Sequence, residues 1–321
     1  MSMTINRCLA AAVCVSLLAL SSACSRGSRS RGDDPTGTPG QPGTSDSGDL
    51  AGTLEVEGRI RSYRLHVPPG HAASAPAALV VALHGGGGNA AGLETHIGMD
   101  AIADREGFLA VYPDGNGKLG GIVLTWNSGN CCGYALDEQV DDVAFLRALV
   151  GHLSTTYAID ADRVYATGIS NGGMMSYRLA CEASDLFAAV APVAGALSVA
   201  CEPSEPVSIL AVHGTDDQHV LFEGGVPVSR FDAHERVDPS VQDTLALWAW
   251  RDGCSLDPMR EQAGTIIHDV YPDCDSGLSV ELLAIEGGGH VWPGGESPSR
   301  SEDELDASEA IWAFFEAHPK P

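Results

Sequence analysis

The sequence predicts an α/β fold in which a mostly parallel, twisted sheet carries helices on both faces. Short apolar runs alternate with segments of helical periodicity from residue 51 to the end of the chain. Several of these runs are continuously apolar, as in strands that are buried on both faces of a parallel sheet. The runs also end in glycine-rich segments, which is typical of strands that run into a turn. With no internal repeat and no second linker, residues 51–321 form one predicted domain.

The predicted strands follow from these apolar runs. A hairpin opens the domain, with strands at 54–59 and 62–67 that alternate between apolar and polar residues. Six further strands are predicted, at 77–83, 108–112, 164–167, 188–193, 208–212 and 278–285.

The predicted helices fill the intervals between the strands. They lie at 97–105, 140–153, from about 172, 241–251 and 304–317. Asp141 is placed as the N-cap of the second of them, and a solvated helix start explains the neighbouring Asp142 better than a paired-carboxylate site does. A loop of about 25 residues precedes that helix, and loops of this length are usually functional or disordered. Its tryptophan and paired cysteines favour an ordered, functional loop.

Composition and charge exclude several classes of function. The chain has 321 residues, of which 44% are apolar, and its formal net charge is −25. Nucleic acids and anionic lipid surfaces attract basic proteins, so neither is an expected partner. The first fifty residues are neutral, with four Arg and four acidic residues, so the negative charge lies in the predicted domain.

The N-terminus has the pattern of an export signal. Arg7 precedes an apolar run at 8–20, and small residues then lead to Cys24. We predict a signal peptide at 1–23, in which the sequence before Cys24 resembles a bacterial lipoprotein box. Lipidation of Cys24 is the prediction, and simple cleavage that leaves a free thiol is the alternative. Residues 24–50 are rich in Gly, Ser, Pro and Asp, which predicts a disordered linker.

The cysteines predict disulfides. The chain has nine, of which two leave with the signal peptide, and a lipid on Cys24 would leave an even number. The remaining six are Cys131, Cys132, Cys181, Cys201, Cys254 and Cys274. An even set in an exported chain indicates three disulfides, although six cysteines allow 15 pairings. Short loops suggest Cys181–Cys201, Cys254–Cys274 and a vicinal Cys131–Cys132 bridge.

A nucleophile motif lies between a predicted strand and a predicted helix. Residues 168–172 read Gly-Ile-Ser-Asn-Gly, which fits Gly-x-Ser-x-Gly, and the strand–turn–helix context is the one that a nucleophile elbow requires. Ser170 is therefore the candidate nucleophile. An inert serine in a glycine-rich turn is the alternative.

A base and an acid follow in the order that this motif requires. His290 lies in a glycine-rich loop after the last predicted strand, where a general base belongs. Asp216 and Asp217 both follow the strand at 208–212, and the strand pattern alone does not choose between them. His84, His152 and His213 are expected to be structural.

The remaining site predictions concern the oxyanion and the cleft walls. The backbone N–H of Asn171 and one from the glycine run after the strand at 77–83 are the candidate oxyanion donors. Gly86 is the choice from that run and Gly85 the second choice. Trp126 and Trp292 are candidate substrate-binding residues, with core packing as the alternative. No zinc-ligand spacing or phosphate loop is present, so we expect no metal and no cofactor.

The chain resembles the secreted α/β-hydrolases grouped as polyhydroxybutyrate depolymerase-like and feruloyl or acetylxylan esterase-like enzymes. The matching segments cover about residues 78–295 and include LHGGGGN, VYPDG, WNSGNCCG, DADRVYATGISNGGMMSYRLAC, FAAVAPVAG, HGTDDQHVLFEGG and GGGHVWPGG. The resemblance implies an α/β-hydrolase fold, places the nucleophile at Ser170 and the base at His290, and selects Asp217 as the acid. Some relatives carry another residue where Gly86 stands, which leaves the oxyanion geometry open.

These observations predict an exported serine esterase that hydrolyses carboxylic esters through an acyl-enzyme. Polyhydroxyalkanoates, feruloyl or acetyl polysaccharide esters and small esters all fit as substrates. The alternatives are a serine peptidase on the same fold, which usually needs a further gating domain, and a non-catalytic binding lipoprotein, which typically lacks a triad residue. We expect a monomer whose only membrane contact is an N-terminal lipid.

Overall fold

A ten-stranded sheet runs through the protein. The computed structural model describes residues 48–72, 74–228, 234–295 and 305–321. The strand order is β1-β2-β4-β3-β5-β6-β7-β10-β9-β8. The strands are β1 (Gly48–Val56), β2 (Arg59–Val67), β3 (Ala77–Leu83), β4 (Leu109–Pro113), β5 (Ile159–Ile169), β6 (Ala189–Val193), β7 (Ser208–Gly214), β8 (Met259–Ala263), β9 (Ile266–Tyr271) and β10 (Val280–Ile285).

The centre of this sheet is parallel and its two ends are antiparallel. Strands β4, β3, β5, β6, β7 and β10 pair in parallel, whereas β1 and β2 at one end and β9 and β8 at the other pair antiparallel. The carboxyl ends of the parallel strands therefore meet along one edge, which is where such sheets place their ligand sites.

The helices connect the strands and pack on both faces. They are α1 (Ala90–Ile97), α2 (Met99–Glu106), α3 (Gly133–Asp137), α4 (Asp142–Ser154), α5 (Asn171–Glu182), α6 (Val241–Arg251) and α7 (Ala307–Ala317). A 3-10 turn, Asp275–Gly277, precedes β10. The predicted α/β class, with helices on both faces of a mostly parallel sheet, is confirmed.

Strand β3 shows why its sequence is continuously apolar. Leu79, Val81 and Leu83 belong to the core on the side of α4, α5 and α6. Val80 and its neighbours on alternate positions belong to a second core, which α1, α2 and α7 cover. Because the side chains of residues 78–83 alternate between two cores, an apolar residue is favoured at each of these positions.

The element boundaries agree best where the apolar pattern was clear, either as a continuous run or with a helical period. Strand β3 and helix α6 have the predicted bounds, and Asp141 caps α4 by accepting a hydrogen bond from the N–H of Ala144 at 2.9 Å. The helix predicted at 97–105 is wrong in its start, since α1 and α2 meet at Gly98, whose φ of 66° ends one helix and begins the next.

The β8–β9 hairpin was not predicted. All five residues of β8 are exposed, so the strand has no apolar face to reveal it. It is held by its pairing with β9, which pairs in turn with β10.

The N-terminal end of the sheet corrects the predicted linker boundary. Strand β1 begins at Gly48, and residues 48–50 pair with Val67, His66 and Leu65 of β2. Polar composition hid this extension, because an edge strand is stabilised by backbone pairing and needs few apolar side chains. The predicted signal peptide at 1–23, the lipidation site Cys24 and residues 24–47 of the linker lie outside the described residues.

The described residues contain three disulfides, and they are the ones that the short loops suggested. They join Cys131 to Cys132, Cys181 to Cys201 and Cys254 to Cys274. The last two each close a 20-residue separation. Within the described ranges, no helix combines the length and apolar character needed to span a membrane.

Candidate active site

Ser170 lies at a sharp turn between β5 and α5. Its backbone has φ 58° and ψ −121°, a left-handed conformation that is costly for a residue with a side chain. The turn is held on both sides, since the Ser170 N–H donates to the Val193 carbonyl at 2.9 Å and the Met174 N–H donates to the Ser170 carbonyl at 2.8 Å. Strained backbone fixed in this way is typical of a nucleophile elbow.

The two glycines that flank Ser170 are required by close backbone approach. A Cβ on Gly168 would lie 2.6 Å from the Leu83 carbonyl oxygen, and one on Gly172 would lie 2.2 Å from the same atom. The end of β3 therefore passes directly against the turn. This contact places the glycine-rich loop after β3 beside the serine.

Asn171, the first residue of α5, is anchored by its side chain. Its Oδ1 accepts from the Trp126 N–H at 2.7 Å, and its Nδ2 donates to the Trp126 carbonyl at 3.0 Å. The amide thus pairs with both backbone groups of one residue of the long loop. The backbone N–H of Asn171 has no acceptor among the described residues, and Asn171 lines the same cleft as Ser170.

The glycine loop is braced by His84. Its ring donates from Nδ1 to the Gly85 carbonyl at 2.8 Å and accepts at Nε2 from the Gly115 N–H at 2.9 Å. Burial lowers the pKa of His84, which agrees with this neutral form. Gly86 lines the same cleft as Ser170, and its N–H likewise donates to no acceptor within the described chain. His84 therefore has the structural role predicted for it.

Asp217 and His290 are brought together by neighbouring strands. Strand β7 pairs in parallel with β10, and the loops that follow them carry the two residues. The Nδ1 of His290 donates to Asp217 Oδ2 at 2.7 Å. The adjacent Asp216 is exposed, and its contribution is a backbone N–H to the Gly288 carbonyl at 2.8 Å. The structure therefore pairs Asp217, and not Asp216, with the histidine.

Hydrogen bonds keep the Asp217 carboxylate ionised. Burial alone would raise its pKa, but the pairing with His290 and the backbone N–H groups of Val220 and His219 lower it below its ordinary value. Those two N–H groups reach Oδ1 at 2.9 and 2.8 Å. Both carboxylate oxygens are thus occupied, one by the backbone and one by the imidazole.

Ser170 and His290 line one cleft of about 390 Å³. Its remaining walls come from Gly86, Cys131, Cys132, Asn171, Met174, His219 and Arg236. Among the described residues, no hydrogen bond joins the serine hydroxyl to the histidine ring. Such contacts are often loose before a substrate binds.

The two tryptophans are not cleft walls, and that expectation is corrected. Trp126 is fully buried, and its Nε1 donates to the His84 carbonyl at 2.9 Å, so it acts as support beneath the site. Trp292 is 3% exposed and donates from Nε1 to Ser308 Oγ at 3.0 Å. It lines a different cavity, which neither Ser170 nor His290 borders. The alternative of core packing accounts for both.

Sequence reasoning missed the two polar side chains in the cleft wall, His219 and Arg236, as well as the sulfur-containing residues Cys131, Cys132 and Met174. The His219 ring lies against that of His290, with centroids 4.8 Å apart, and Arg236 is buried in the wall. His219 is only two positions from Asp217, which was the available clue. Arg236 lies in a polar segment with no periodicity, so only the fold reveals its position.

Asp142 also differs from expectation. Its side chain is completely buried, accepts from Arg61 at 2.7 Å and accepts from the Asn127 N–H at 2.8 Å. Burial raises its pKa despite these partners. The residue is therefore not a solvated helix terminus. It ties strand β2 and the long loop to the start of α4.

Comparison with known proteins identifies the family. The family model described as esterase PHB depolymerase matches residues 61–231, which is more than half of the chain. The chain belongs to this family.

Individual relatives agree with it. The chain is 36% identical over 274 residues to a putative esterase, NocK, of Nocardia uniformis subsp. tsuyamanensis, covering 79% of this chain and 77% of that protein. It is 32% identical over 260 residues to a probable feruloyl esterase C of Aspergillus oryzae, covering 80% and 84%. It is 30% identical over 245 residues to feruloyl esterase B of Piromyces equi, covering 72% of this chain but 42% of that protein.

The fold is shared with solved esterases. The acetyl xylan esterase from Aspergillus awamori superposes with a TM-score of 0.60 at 15% identity, covering 84% of this chain and 99% of that one. The predicted α/β-hydrolase fold is confirmed. Together with the family, these relatives establish the chain as a carboxylic ester hydrolase.

Proposed function

We propose that this esterase works through a Ser170–His290–Asp217 triad and a covalent acyl-enzyme. The observation that carries the proposal is the 2.7 Å bond from His290 Nδ1 to a buried, ionised Asp217, in the cleft that Ser170 enters on a strained turn. A serine hydroxyl is a weak nucleophile at neutral pH and requires such a base.

Acylation follows from these positions. His290 Nε2 takes the Ser170 proton as Oγ attacks the ester carbonyl, while Asp217 holds the imidazole with Nε2 towards the serine and stabilises its positive charge. The negative charge that develops on the carbonyl oxygen is received by the N–H groups of Asn171 and Gly86. The tetrahedral intermediate then collapses, and His290 returns the proton to the departing alcohol.

Deacylation repeats the steps with water. His290 removes a proton from the water that attacks the acyl carbonyl, and the same two N–H groups stabilise the second intermediate. Collapse releases the carboxylic acid and returns the proton to Ser170 Oγ. The side-chain clamp of Asn171 on Trp126 serves both half-reactions, because it keeps the backbone N–H aimed at the oxyanion without reorganisation.

The proposed substrates are polymeric esters outside the cell. Relatives carry the names feruloyl esterase and bifunctional acetylxylan esterase/xylanase, and the family model names PHB depolymerase. Feruloyl or acetyl polysaccharide esters and polyhydroxyalkanoates are therefore the classes to assay. Export, with a lipid at Cys24 that tethers the enzyme to the cell envelope, agrees with substrates too large to enter a cell.

A double-mutant comparison tests the triad. Ser170→Ala and His290→Ala should each lower kcat on p-nitrophenyl acetate by roughly 10³-fold or more, and the double variant should lose little further, because the residues act as a unit. Multiplicative losses would contradict a shared triad. A peptidase would instead cleave peptide anilides better than the matched esters, and a binding protein would turn over neither.

A substrate panel separates the ester classes. Methyl ferulate, acetylxylan, polyhydroxybutyrate film and p-nitrophenyl acyl esters should be compared by kcat/KM, with Ser170→Ala as the blank. We expect at least one of methyl ferulate, acetylxylan and polyhydroxybutyrate to be hydrolysed faster than ethyl butyrate, a simple ester whose leaving alcohol is similarly unactivated, while the p-nitrophenyl esters report general esterase activity. Equal rates throughout would contradict the polymer assignment and leave a general esterase.

A further inference from the structure

A buried arginine forms part of the cleft wall. Arg236 is 7% exposed and lines the cleft together with Ser170 and His290. Its Nε donates to both carboxylate oxygens of Asp238 at 3.0 Å. Its Nη2 donates to the His219 carbonyl at 2.7 Å. These bonds fix the orientation of the guanidinium, and they use its Nε and one N–H of Nη2.

The other side of the guanidinium has no strong acceptor. Nη1 has the Cys131 sulfur at 4.0 Å, and sulfur is a weak acceptor. Within the described part of the chain, no oxygen accepts from Nη1 or from the second N–H of Nη2. Buried N–H donors without an acceptor are costly and uncommon, so such a group in a cleft calls for a ligand oxygen.

We propose that Arg236 is a specificity-determining residue that donates from Nη1 to an oxygen of the bound ester other than the scissile carbonyl oxygen. This inference rests on the proposed function and extends it to a substrate class. The acceptor is a neutral oxygen, such as an ether, hydroxyl or second ester carbonyl. Asp238 already balances the arginine charge, and the net charge of −25 opposes an anionic group.

The neighbouring walls fit the carbon skeleton of such an ester. Met174 and the Cys131–Cys132 disulfide form a small apolar cluster that also lines the cleft. Thioether and disulfide sulfurs are soft and polarisable, so they accommodate an alkyl or aryl chain. The ester would lie with its chain on the sulfurs and its additional oxygen at Arg236, which fixes its position relative to Ser170.

Isosteric ester pairs test the hydrogen bond. On the acyl side, p-nitrophenyl methoxyacetate is compared with the butyrate, and 3-methoxypropanoate with the pentanoate. On the alcohol side, 2-methoxyethyl acetate is compared with butyl acetate. Each pair exchanges one CH₂ for oxygen, and the quantity measured is the ratio of kcat/KM within the pair. The difference in intrinsic reactivity between the two esters of a pair is the same for every enzyme form, so it cancels when the wild-type ratio of kcat/KM is compared with the ratio for a variant.

The test variants must not leave the buried Asp238 carboxylate without a cation. Arg236→Met combined with Asp238→Asn removes the ion pair together, because loss of the arginine alone would strand a buried carboxylate. Asp238→Asn by itself is the matched control, since it disturbs the support but keeps the donor. Arg236→Lys is the second test variant, because it retains a cation for Asp238 but lacks the Nη1 arm. Circular dichroism melting confirms the fold.

The expected result is a change of selectivity. In at least one pair the wild-type preference for the oxygen-containing ester should fall by roughly tenfold or more in the double variant, partly in Arg236→Lys and little in Asp238→Asn. The pair that responds locates the oxygen on the acyl or the alcohol side. If the arginine were purely structural, its loss would lower kcat/KM equally for both esters of each pair, and that result would overturn the proposal.

Two further outcomes are decisive. A wild-type preference for monoethyl succinate over ethyl butyrate that Arg236→Met/Asp238→Asn abolishes would replace the neutral oxygen by a carboxylate. If the wild type hydrolysed none of the esters, the proposed function would fail. Arg236 would then be tested by saturation-transfer NMR of 2-methoxyethyl acetate against butyl acetate on Ser170→Ala protein, where equal binding with and without the arginine overturns the inference.

Discussion

The two oxygens of the Asp217 carboxylate have separate partners. Oδ2 holds His290, and Oδ1 accepts the backbone N–H groups of His219 and Val220. The residue thus fixes its own loop and the imidazole at once. Its neighbour Asp216 has an exposed side chain and takes part in neither.

Asp217→Asn should lower kcat by about 10²- to 10⁴-fold. The amide cannot serve as acceptor on both sides and lacks the charge that stabilises the protonated His290. Asp216→Asn should change kcat by less than about tenfold, as exposed substitutions usually do. Both are assayed on p-nitrophenyl acetate with circular dichroism as the control, and the reverse ranking would assign the acid to Asp216.

Single residues show the limit of sequence reasoning. Strand–turn–helix context and glycine-rich loops singled out Ser170 and His290 in the sequence, and the structure brings these two residues to one cleft. Asp217 required the family pattern, since two adjacent carboxylates are equivalent until the backbone direction is known. Trp126 and Trp292 were assigned to the cleft wrongly, because the sequence does not show whether an aromatic residue near a catalytic loop faces the cleft or the core.

At the scale of elements, the nucleophile turn depends on the end of β3. A Cβ on Gly172 would lie only 2.2 Å from the Leu83 carbonyl oxygen. The sheet fixes the backbone of both segments. No rotamer change relieves such a contact. The turn and the glycine loop therefore form one unit.

Gly172→Ala should lower the free energy of unfolding by about 2–3 kcal/mol or more and reduce activity. Gly151 in α4 is the matched control, because a Cβ there meets nothing within 4 Å. Gly151→Ala should raise the free energy of unfolding by up to about 1 kcal/mol. Urea unfolding of both variants checks this, and an unchanged midpoint for Gly172→Ala would contradict the packing.

Another element contact depends on pH. His66 of β2 meets Asp49 of β1 at Nδ1 and Asp104 of α2 at Nε2, both at 2.8 Å. Burial alone would lower its pKa, but these carboxylates and Asp100 raise it above its ordinary value. Both ring nitrogens donate only in the charged form.

The contribution of His66 to stability should decrease as pH rises. With a folded pKa above the unfolded one, its stabilising effect is fully present below about pH 6.5 and is lost as pH rises through the folded value. The difference in unfolding free energy between wild type and His66→Gln should be larger at pH 5.5 than at pH 9. A constant or growing difference would contradict the protonated bridge.

Elements were predictable where burial imposes a pattern. β3 had the predicted bounds because a short, continuously apolar run that ends in glycines marks a strand buried on both faces. α6 had the predicted bounds because its apolar residues recur with a helical period. β8 was missed because an exposed edge strand carries no such pattern, and β1 begins inside the predicted linker for the same reason. The α1–α2 break depended on a single left-handed glycine, Gly98.

At the scale of the whole molecule, the net charge of −25 should act on substrate encounter. Exposed charges are screened over about 8–10 Å at physiological salt, so repulsion of anionic esters weakens as salt is added. We expect kcat/KM for an anionic ester, monoethyl succinate, to rise between 20 and 200 mM NaCl. The value for ethyl butyrate should stay nearly constant, and a parallel change in both would exclude electrostatic repulsion as the cause.

Covalent labelling with a phosphonate, which forms a stable analogue of the acyl-enzyme, tests whether Ser170 is the nucleophile and His290 its base. The protein is treated with a p-nitrophenyl alkylphosphonate, digested and examined by mass spectrometry, alongside Ser170→Ala and His290→Ala. We expect one adduct, on the peptide containing Ser170, absent from Ser170→Ala and formed at least about 10²-fold more slowly in His290→Ala. An adduct on another residue, or unchanged ester turnover by Ser170→Ala, would show that Ser170 is not the nucleophile.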